Sequence, residues 1–421
     1  MKRSPILKEM ATLLSGNVLA QIIGLAAYFI LTRIFSPDDF GLYNIFYSYI
    51  EVLIILSTCK YELAIVVSDS DREAAAVSRF TLRLNTLVSC LLLTVALVLW
   101  LSGSLPSHFA TLGWMVLLIP PMVFFCGTSR VYLGLFNRAH RYPLMALGET
   151  ANAAAGAVIK IVLGLLGVLQ AGLPVGTVLG RALSNIIYRL QLRQLLLPAT
   201  PQECRAAAGK HRNFPLFVGT KDFINSLSSN LPFLWLAMHF DRAEVGLFGL
   251  ALTFTFRPVN ILNSAFEKVL YARTVEAVRD RRSFGGTIRQ FLLVVNACAL
   301  PVLALAWLFA EPVFVFCFGN QWQGCGTYVQ ALLPWIWLML NSTSLMFISN
   351  IFGTQKIEMF FYLTLLLLRV AAIAIGINAG SFLLAVRLYA AAGALTAAAL
   401  LLWYLWQVCH YERSISSLGD R

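Results

Sequence analysis

Residues 291–310 read FLLVVNACALPVLALAWLFA, twenty positions without a single charge. A helix needs roughly 20 consecutive apolar residues to cross the hydrocarbon core of a bilayer. Strands of a membrane barrel are shorter and alternate apolar with polar side chains. Neither this run nor Leu87–Leu101 alternates, so both read as helices that span a membrane. Composition carries the conclusion to the whole chain. Of 421 residues, 59% are hydrophobic and 12% charged, and the mean hydropathy is +0.75. A soluble domain carries about 25% charged residues, so this chain has too little polar surface to coat a water-soluble particle.

Hydropathy places about twelve such helices, at 11–32, 40–59, 84–102, 110–129, 144–166, 170–188, 214–237, 245–266, 290–310, 327–351, 358–377 and 381–406. The tightest junction lies between the fifth and sixth, where only Gly167 to Leu169 remain for the turn and Pro174 follows. Cytoplasmic loops are enriched in lysine and arginine. With the N-terminus inside, only Arg33 and Arg242 of the 32 lysines and arginines fall in outer segments. Six lie within spans: Lys160, Arg181, Lys221, Arg257, Arg369 and Arg387. The net charge of +12 therefore follows the topology rule and does not point to nucleic acid. Tryptophans at 100, 114, 235, 307, 335 and 337 fall toward outer span ends, and Trp403 and Trp406 toward an inner one, as interfacial aromatic belts do.

The two halves resemble each other at an offset of 205 residues. Ser36-Pro-Asp-Asp39 precedes Gly41-Leu42-Tyr43, and Asp241-Arg-Ala-Glu244 precedes Gly246-Leu247-Phe248. Each is a helix start, with an N-cap oxygen and an acid three residues on to satisfy free N–H groups. Pro37 stands at the first helical position, where its missing N–H costs nothing. Tyr61-Glu62 matches Phe266-Glu267 in the same register. Six spans per half is an even number, so both halves enter from one side and are related by an axis along the membrane normal. The expected fold is an all-α polytopic membrane protein of two six-helix lobes related by a pseudo-two-fold along the membrane normal. Residues 1–190 and 213–410 form the lobes, 191–212 a basic cytoplasmic linker and 411–421 a tail, with both termini cytoplasmic. Ser70-x-x-Glu73 is a capping box expected to open a short helix along the inner face, Asp71 to Phe80.

The run Leu31-Thr-Arg-Ile-Phe-Ser-Pro-Asp-Asp-Phe-Gly-Leu-Tyr43, followed by Lys60-Tyr-Glu-Leu-Ala-Ile-Val66, resembles the polysaccharide transport family. That family, which includes the Wzx-like flippases, belongs to the multidrug/oligosaccharidyl-lipid/polysaccharide exporter superfamily. Asn225–Ala277, with its Val245-Gly-Leu-Phe248 step, resembles the start of that family's second lobe, and Phe318-Gly-Asn-Gln-Trp322 its Phe-Gly-x-x-Trp motif. The resemblance covers most of the chain and marks the family better than the substrate. It implies flipping of an undecaprenyl-pyrophosphate-linked oligosaccharide across the bacterial inner membrane, by alternating access and coupled to H⁺ or Na⁺. Membrane lipids and polysaccharide polymerase machinery are the partners it suggests.

Charges inside spans cost about 2.5 to 3.5 kcal/mol each at mid-helix, so they face an aqueous cavity or a partner. The six cations outnumber the three acids Glu51, Glu149 and Asp222, which suits an anionic cargo, because arginine forks onto phosphate oxygens. The substrate-binding candidates are Arg257, Arg369, Lys160 and Lys221. Arg387 is expected to snorkel outward and Arg181 inward. Lys221 and Asp222 are neighbours that cannot point the same way, so each needs another partner. Asp222, Glu149 and Glu51 either trade protons with the two faces or neutralise a cation. Glu62 and Glu267, at matching inner helix ends, either gate the cytoplasmic side or are solvated ends.

No metal or cofactor is expected. The eight cysteines (59, 90, 126, 204, 298, 317, 325 and 409) show no ligand spacing, although Cys317 and Cys325 share an outer loop in which an oxidising compartment permits a disulfide. A polymerase or ligase acting on the same lipid-linked sugar needs a sizeable outer catalytic loop, and the longest here is about Glu311 to Tyr328. There is no P-loop, Gly-x-Ser-x-Gly or Asp-Asp-x-x-Asp motif, so no enzyme activity is expected. A drug or metabolite antiporter of the same superfamily remains the alternative transporter.

Overall fold

The computed structural model describes residues 5–192 and 196–419. Lys2, Arg3, Arg421 and, within the expected linker, residues 193–195 lie outside them. The described residues form helices and turns. The long helices are α1 (Pro5–Ile34), α2 (Pro37–Thr58), α3 (Asp71–Leu101), α4 (Ile119–Arg138), α5 (Tyr142–Leu165), α6 (Leu169–Gln191), α7 (Thr220–Trp235), α8 (Arg242–Arg279), α9 (Gly285–Phe318), α10 (Cys325–Thr343), α11 (Gln355–Asn378) and α12 (Phe382–Gly419). Each expected span overlaps one of them, though 110–129 and 327–351 also take in short separate helices, Ser107–Ala110 and Phe347–Phe352. Among the described residues, nine helical segments are long and apolar enough to cross a membrane. Their outward faces are apolar, as at Leu87 and Leu101 on α3 and Leu308 on α9, which is a surface made for lipid.

Local chemistry sets the boundaries. At the start of α2 the Ser36 side chain accepts from the Asp39 N–H while Asp39 accepts from the Ser36 N–H (2.9 Å), completing the expected capping box. The helix stops at Cys59 and Lys60, which both take the left-handed conformation (φ 48° and 60°). The fifth and sixth spans are separate helices, turned at Gly167 with φ 81°. They pack closely because Gly180 faces Gly156, where an added Cβ would come within 2.8 Å of the Gly156 Cα; small residues of this kind let membrane helices touch backbone to backbone. Pro174, Pro301 and Pro312 lie inside helices, as neighbouring helices allow in a bilayer.

Three expectations change. The Ser70 cap does not open a separate surface helix. It opens α3 itself, because residues 71–101 contain neither glycine nor proline to break the run; the Glu73 carboxylate reaches back to the Asp69 N–H (3.1 Å) instead of Ser70. The expected linker contains a helix that the sequence reading did not assign. Pro201–Lys210 is a helix with a capping box at Thr200 and Glu203, and its apolar face, Cys204 and Ala207, is buried in a cluster with Ala74, Val77 and Phe136. The Glu311 to Tyr328 loop shrinks to a few residues between α9 and α10. Cys317 sits in the last turn of α9 and Cys325 opens α10; both are free, and the buried Cys325 thiol donates to the Leu247 carbonyl (3.3 Å).

By packing, the chain divides into Met1–Gly246 and Leu247–Arg421. In the first unit α7 packs on α2, α5 on α1 and α6, and α3 on α4; in the second, α12 packs on α10 and α11, and α9 on α10.

Candidate functional site

The polar interior of the first unit is built on α2, α4, α5 and α6. Arg181 of α6 meets Glu149 of α5 at 2.8 Å. Tyr188, one helical face further along α6, donates to the Met145 carbonyl (3.2 Å) and to Glu149 (3.3 Å). Gly148 makes room for that ring, since a Cβ there would lie 2.0 Å from it. Arg181 therefore does not snorkel inward: a carboxylate on the facing helix gives it a nearer counter-charge than the membrane surface. Tyr47 of α2 stands in electrostatic reach of Glu51, Tyr43, Cys126 and Arg181. Lys160 of α5 lies over the Tyr43 ring, 5.0 Å from its centroid, and Gly176 opposite leaves space for its stem.

Asp222 finds the partner that its neighbour Lys221 does not offer. Its carboxylate meets Lys60 at 2.7 Å, so the left-handed turn at the end of α2 is tied to α7. Glu62 is buried, with the nearest Arg130 nitrogen at 3.8 Å, beyond hydrogen-bond distance. Glu149, Asp222 and Glu62 thus each have a cation. Glu51 differs from the other two mid-span acids: among the described residues no lysine or arginine lies within ion-pair distance of its carboxylate, nor of that of Glu267. Its backbone carbonyl accepts from Ser226 on α7 (2.9 Å).

In the second unit, Arg257 is exposed midway along α8, just before Pro258, and Lys221 of the first unit is half-buried. Arg369 of α11 is 2% exposed. Its guanidinium lies 4.8 Å from the Trp335 ring centroid and 4.3 Å from that of Tyr389, in cation–π contact with two rings that meet edge to face. Glu267 is half-buried on α8. Among the described residues no cluster of His, Cys, Asp or Glu has the arrangement of a metal site.

Sequence reasoning passed over Glu358, which is 2% exposed at the start of α11 and accepts from Tyr404 of α12 (3.4 Å). The same bond, glutamate on the fifth helix of a half to tyrosine on the sixth, joins Glu149 and Tyr188. The constant 205-residue offset hides the match, because loops of unequal length separate these helices in the two halves. Also missed was the role of Glu311, whose carboxylate accepts from the Gly324 and Gly326 N–H groups (2.5 and 2.8 Å) and so caps α10.

Comparison with solved structures places the fold. The chain is similar to lipid II flippase MurJ in an inward closed conformation, with TM-score 0.72 and 11% identity over 96% of this chain and 92% of that one. It is similar to an inward-facing multidrug resistance MATE family transporter of the MOP superfamily, with TM-score 0.66 and 16% identity over 93% and 96%. It also resembles a MOP superfamily transporter from Pyrococcus furiosus, with TM-score 0.63 and 13% identity over 97% and 96%. The chain has the all-α, multi-pass fold of these transporters. Succinoglycan biosynthesis transport protein ExoT of Rhizobium meliloti (strain 1021) is 22% identical over 299 residues, 70% of this chain. The chain spans 58% of that relative's length. Residues 30–327, well over half of the sequence, match the family described as polysaccharide biosynthesis protein, and the chain belongs to that family.

Proposed function

We propose that the protein is a flippase of the bacterial inner membrane that moves an undecaprenyl-pyrophosphate-linked oligosaccharide from the cytoplasmic to the periplasmic leaflet, without enzymatic activity of its own. Twelve crossings, cytoplasmic termini and two six-helix lobes joined at 191–212 belong to the same proposal, as does delivery of cargo to polymerase machinery. The observation that carries it is the family match over residues 30–327. The transport function printed for the succinoglycan relative supports it.

Two features of the geometry support a mechanism. Arg257 is exposed on a spanning helix, where a guanidinium offers paired, charge-assisted hydrogen bonds to phosphate. Arg369, Lys160 and Lys221 are secondary cargo contacts. Of the three mid-span acids Glu51 has no fixed cation, whereas Glu149 and Asp222 do, so Glu51 is the carboxylate that takes up and releases H⁺ or Na⁺. Glu149 and Asp222 hold their helices by neutralising Arg181 and Lys60, and Glu62 and Glu267 mark the cytoplasmic helix ends.

Deleting the protein and profiling lipid-linked intermediates tests the function. A flippase leaves undecaprenyl-linked oligosaccharide facing the cytoplasm; single repeat units displayed outside would instead identify a polymerase and end the proposal. Arg257→Ala should stop export at unchanged membrane abundance, with Arg257→Lys keeping part, and Glu51→Gln should abolish dependence on the ion gradient. Full export by the alanine variant removes Arg257 from the site.

A further inference from the structure

A cavity of about 540 Å³ opens between α9, α10 and α12 in the second unit. It lies toward the end at which α9 finishes and α10 and α12 begin. Its polar residues cluster near that end. Arg387 is five residues into α12 from Phe382 and Gln330 five into α10 from Cys325, so each lies about 7.5 Å along its helix at 1.5 Å per residue. Thr327 is nearer the surface still. The deeper wall is apolar: Pro334, Ala391, Ala394 and Leu395 lie about 14 to 20 Å in by the same rise. Small side chains there form a slot that opens outward past Leu395 and Trp307, which are 65% and 50% exposed. The cavity thus has a cationic, hydrogen-bonding head and a hydrocarbon tail, in the order that a lipid leaflet presents them.

Arg387 is exposed and, among the described residues, has no hydrogen bond, ion pair or ring contact. A guanidinium a turn and a half inside a spanning helix is costly unless an anion meets it. Gln330 is held in place by donating one amide hydrogen to the Trp307 carbonyl (2.8 Å), and the Thr327 hydroxyl has no protein partner among the described residues. Gln330 and Thr327 are neutral, so the head of the cavity carries one positive charge. That matches the single negative charge of a phosphodiester and undercompensates a pyrophosphate.

We infer that this cavity is a binding site for an anionic phospholipid: phosphate on Arg387, glycerol and ester oxygens on Thr327 and Gln330, and an acyl chain along the alanine slot. The site is separate from the cargo path proposed above and does not depend on it. In the proposed orientation it faces the periplasmic leaflet, where such a lipid would hold the outer ends of α9, α10 and α12 together.

The test uses the purified full chain and native mass spectrometry, titrated in turn with phosphatidylglycerol, phosphatidylcholine and undecaprenyl pyrophosphate. Phosphatidylglycerol should bind about tenfold tighter than phosphatidylcholine, whose choline cation offsets the same phosphodiester charge and is repelled by Arg387. Arg387→Gln should remove that preference, Arg387→Lys should keep part, and Ala391→Trp should weaken both phospholipids by filling the slot. A photoactivatable phosphatidylglycerol should label the Thr327–Pro334 and Arg387–Leu395 peptides. Unchanged phosphatidylglycerol binding in Arg387→Gln, or labelling elsewhere, overturns the inference. So does tighter, Arg387-dependent binding of undecaprenyl pyrophosphate, which would assign the cavity to cargo.

Discussion

Gly41 and Gly246, one repeat apart, meet a backbone carbonyl each, and replacing either tests whether the duplication is a structural device. A Cβ on Gly41 would stand 1.9 Å from the Arg242 carbonyl oxygen, and one on Gly246 would stand 1.9 Å from the Pro37 carbonyl oxygen. Pro37 and Arg242 are themselves 205 residues apart. The two contacts therefore exchange with each other under the repeat, as the halves of a self-complementary contact do. Ordinary contact begins near 3.4 Å, so alanine at either site forces the two segments apart by about 1.5 Å. The Asp38–Arg242 ion pair, 3.1 Å now, would then open past 4 Å. Overpacking costs about 1 to 3 kcal/mol, and a half-exposed pair adds on the order of 0.5 kcal/mol. Gly41→Ala should thus lower the melting temperature of the detergent-purified protein on the order of 5 °C. Gly246→Ala should match it. Because one separation relieves both clashes, the double variant should cost clearly less than the sum. Gly286→Ala, with open space around the new methyl, is the neutral control. A Gly41→Ala melting curve that overlays the native one, or strictly additive costs in the double variant, would refute the reciprocal contact.

Other outcomes follow from the same geometry. Glu149→Gln keeps an acceptor but removes the counter-charge 2.8 Å from the Arg181 guanidinium and should destabilise by about 3 kcal/mol, while Glu149→Leu with Arg181→Met recovers most of it; thermal melts of the three proteins decide. Glu311→Ala frees the two N–H groups that begin α10 and should cost about 1 to 2 kcal/mol, with Glu311→Gln milder. The docked linker helix should respond to pH at both extremes. The Thr200 backbone N–H, the Thr200 hydroxyl and Arg72 hold the Glu203 carboxyl below its ordinary range. Its contribution is therefore complete above the unfolded carboxyl value and is lost as pH falls through the lowered one. Hydrogen bonds to Asp69 and Glu73 raise Lys210, so its contribution is complete below the ordinary lysine value and is lost as pH rises through the raised one. Hydroxyl-radical labelling of Cys204, buried beneath that helix, should stay low at neutral pH and climb at both ends; labelling independent of pH would mean that these charges do not hold the helix.

Legibility in the sequence followed the range of the forces involved. The expected segments lie mainly on helix because apolar runs of membrane length leave the backbone no other way to satisfy its hydrogen bonds. The Ser36 cap was legible because Ser36 and Asp39 interact within one turn. The extent of α3 was misjudged because a cap marks where a helix starts and says nothing of where it ends. The linker helix was missed because ten residues with a small apolar face look like coil until Ala74, Val77 and Phe136 are there to receive it. Charge partners were the least legible. Lys60–Asp222 joins residues 162 apart, and Arg181–Glu149 joins helices whose facing sides are chosen by Gly156 and Gly180, so neither pair follows from spacing alone. The hydropathy pattern records depth in the membrane, and depth is silent on rotation about the helix axis.

The duplication separates what the two halves need in common from what distinguishes them. Shared are packing devices: the helix-start glycines at 41 and 246, and the side-chain glutamate–tyrosine bond between the fifth and sixth helix of each half. What differs is charge at one level of the equivalent helices α2 and α8. At the 205-residue offset, Glu51 and Val52 correspond to Phe256 and Arg257. One half therefore places an acid, and the other an arginine, at adjacent registers and at nearly the same distance from helix starts that are themselves equivalent. Bare packing would leave both positions apolar, since each intramembrane charge costs about 2.5 to 3.5 kcal/mol. The acid in one half and the arginine in the other are therefore where the two halves part chemically, and replacing both, Glu51→Val with Arg257→Phe, is the substitution that packing alone would tolerate.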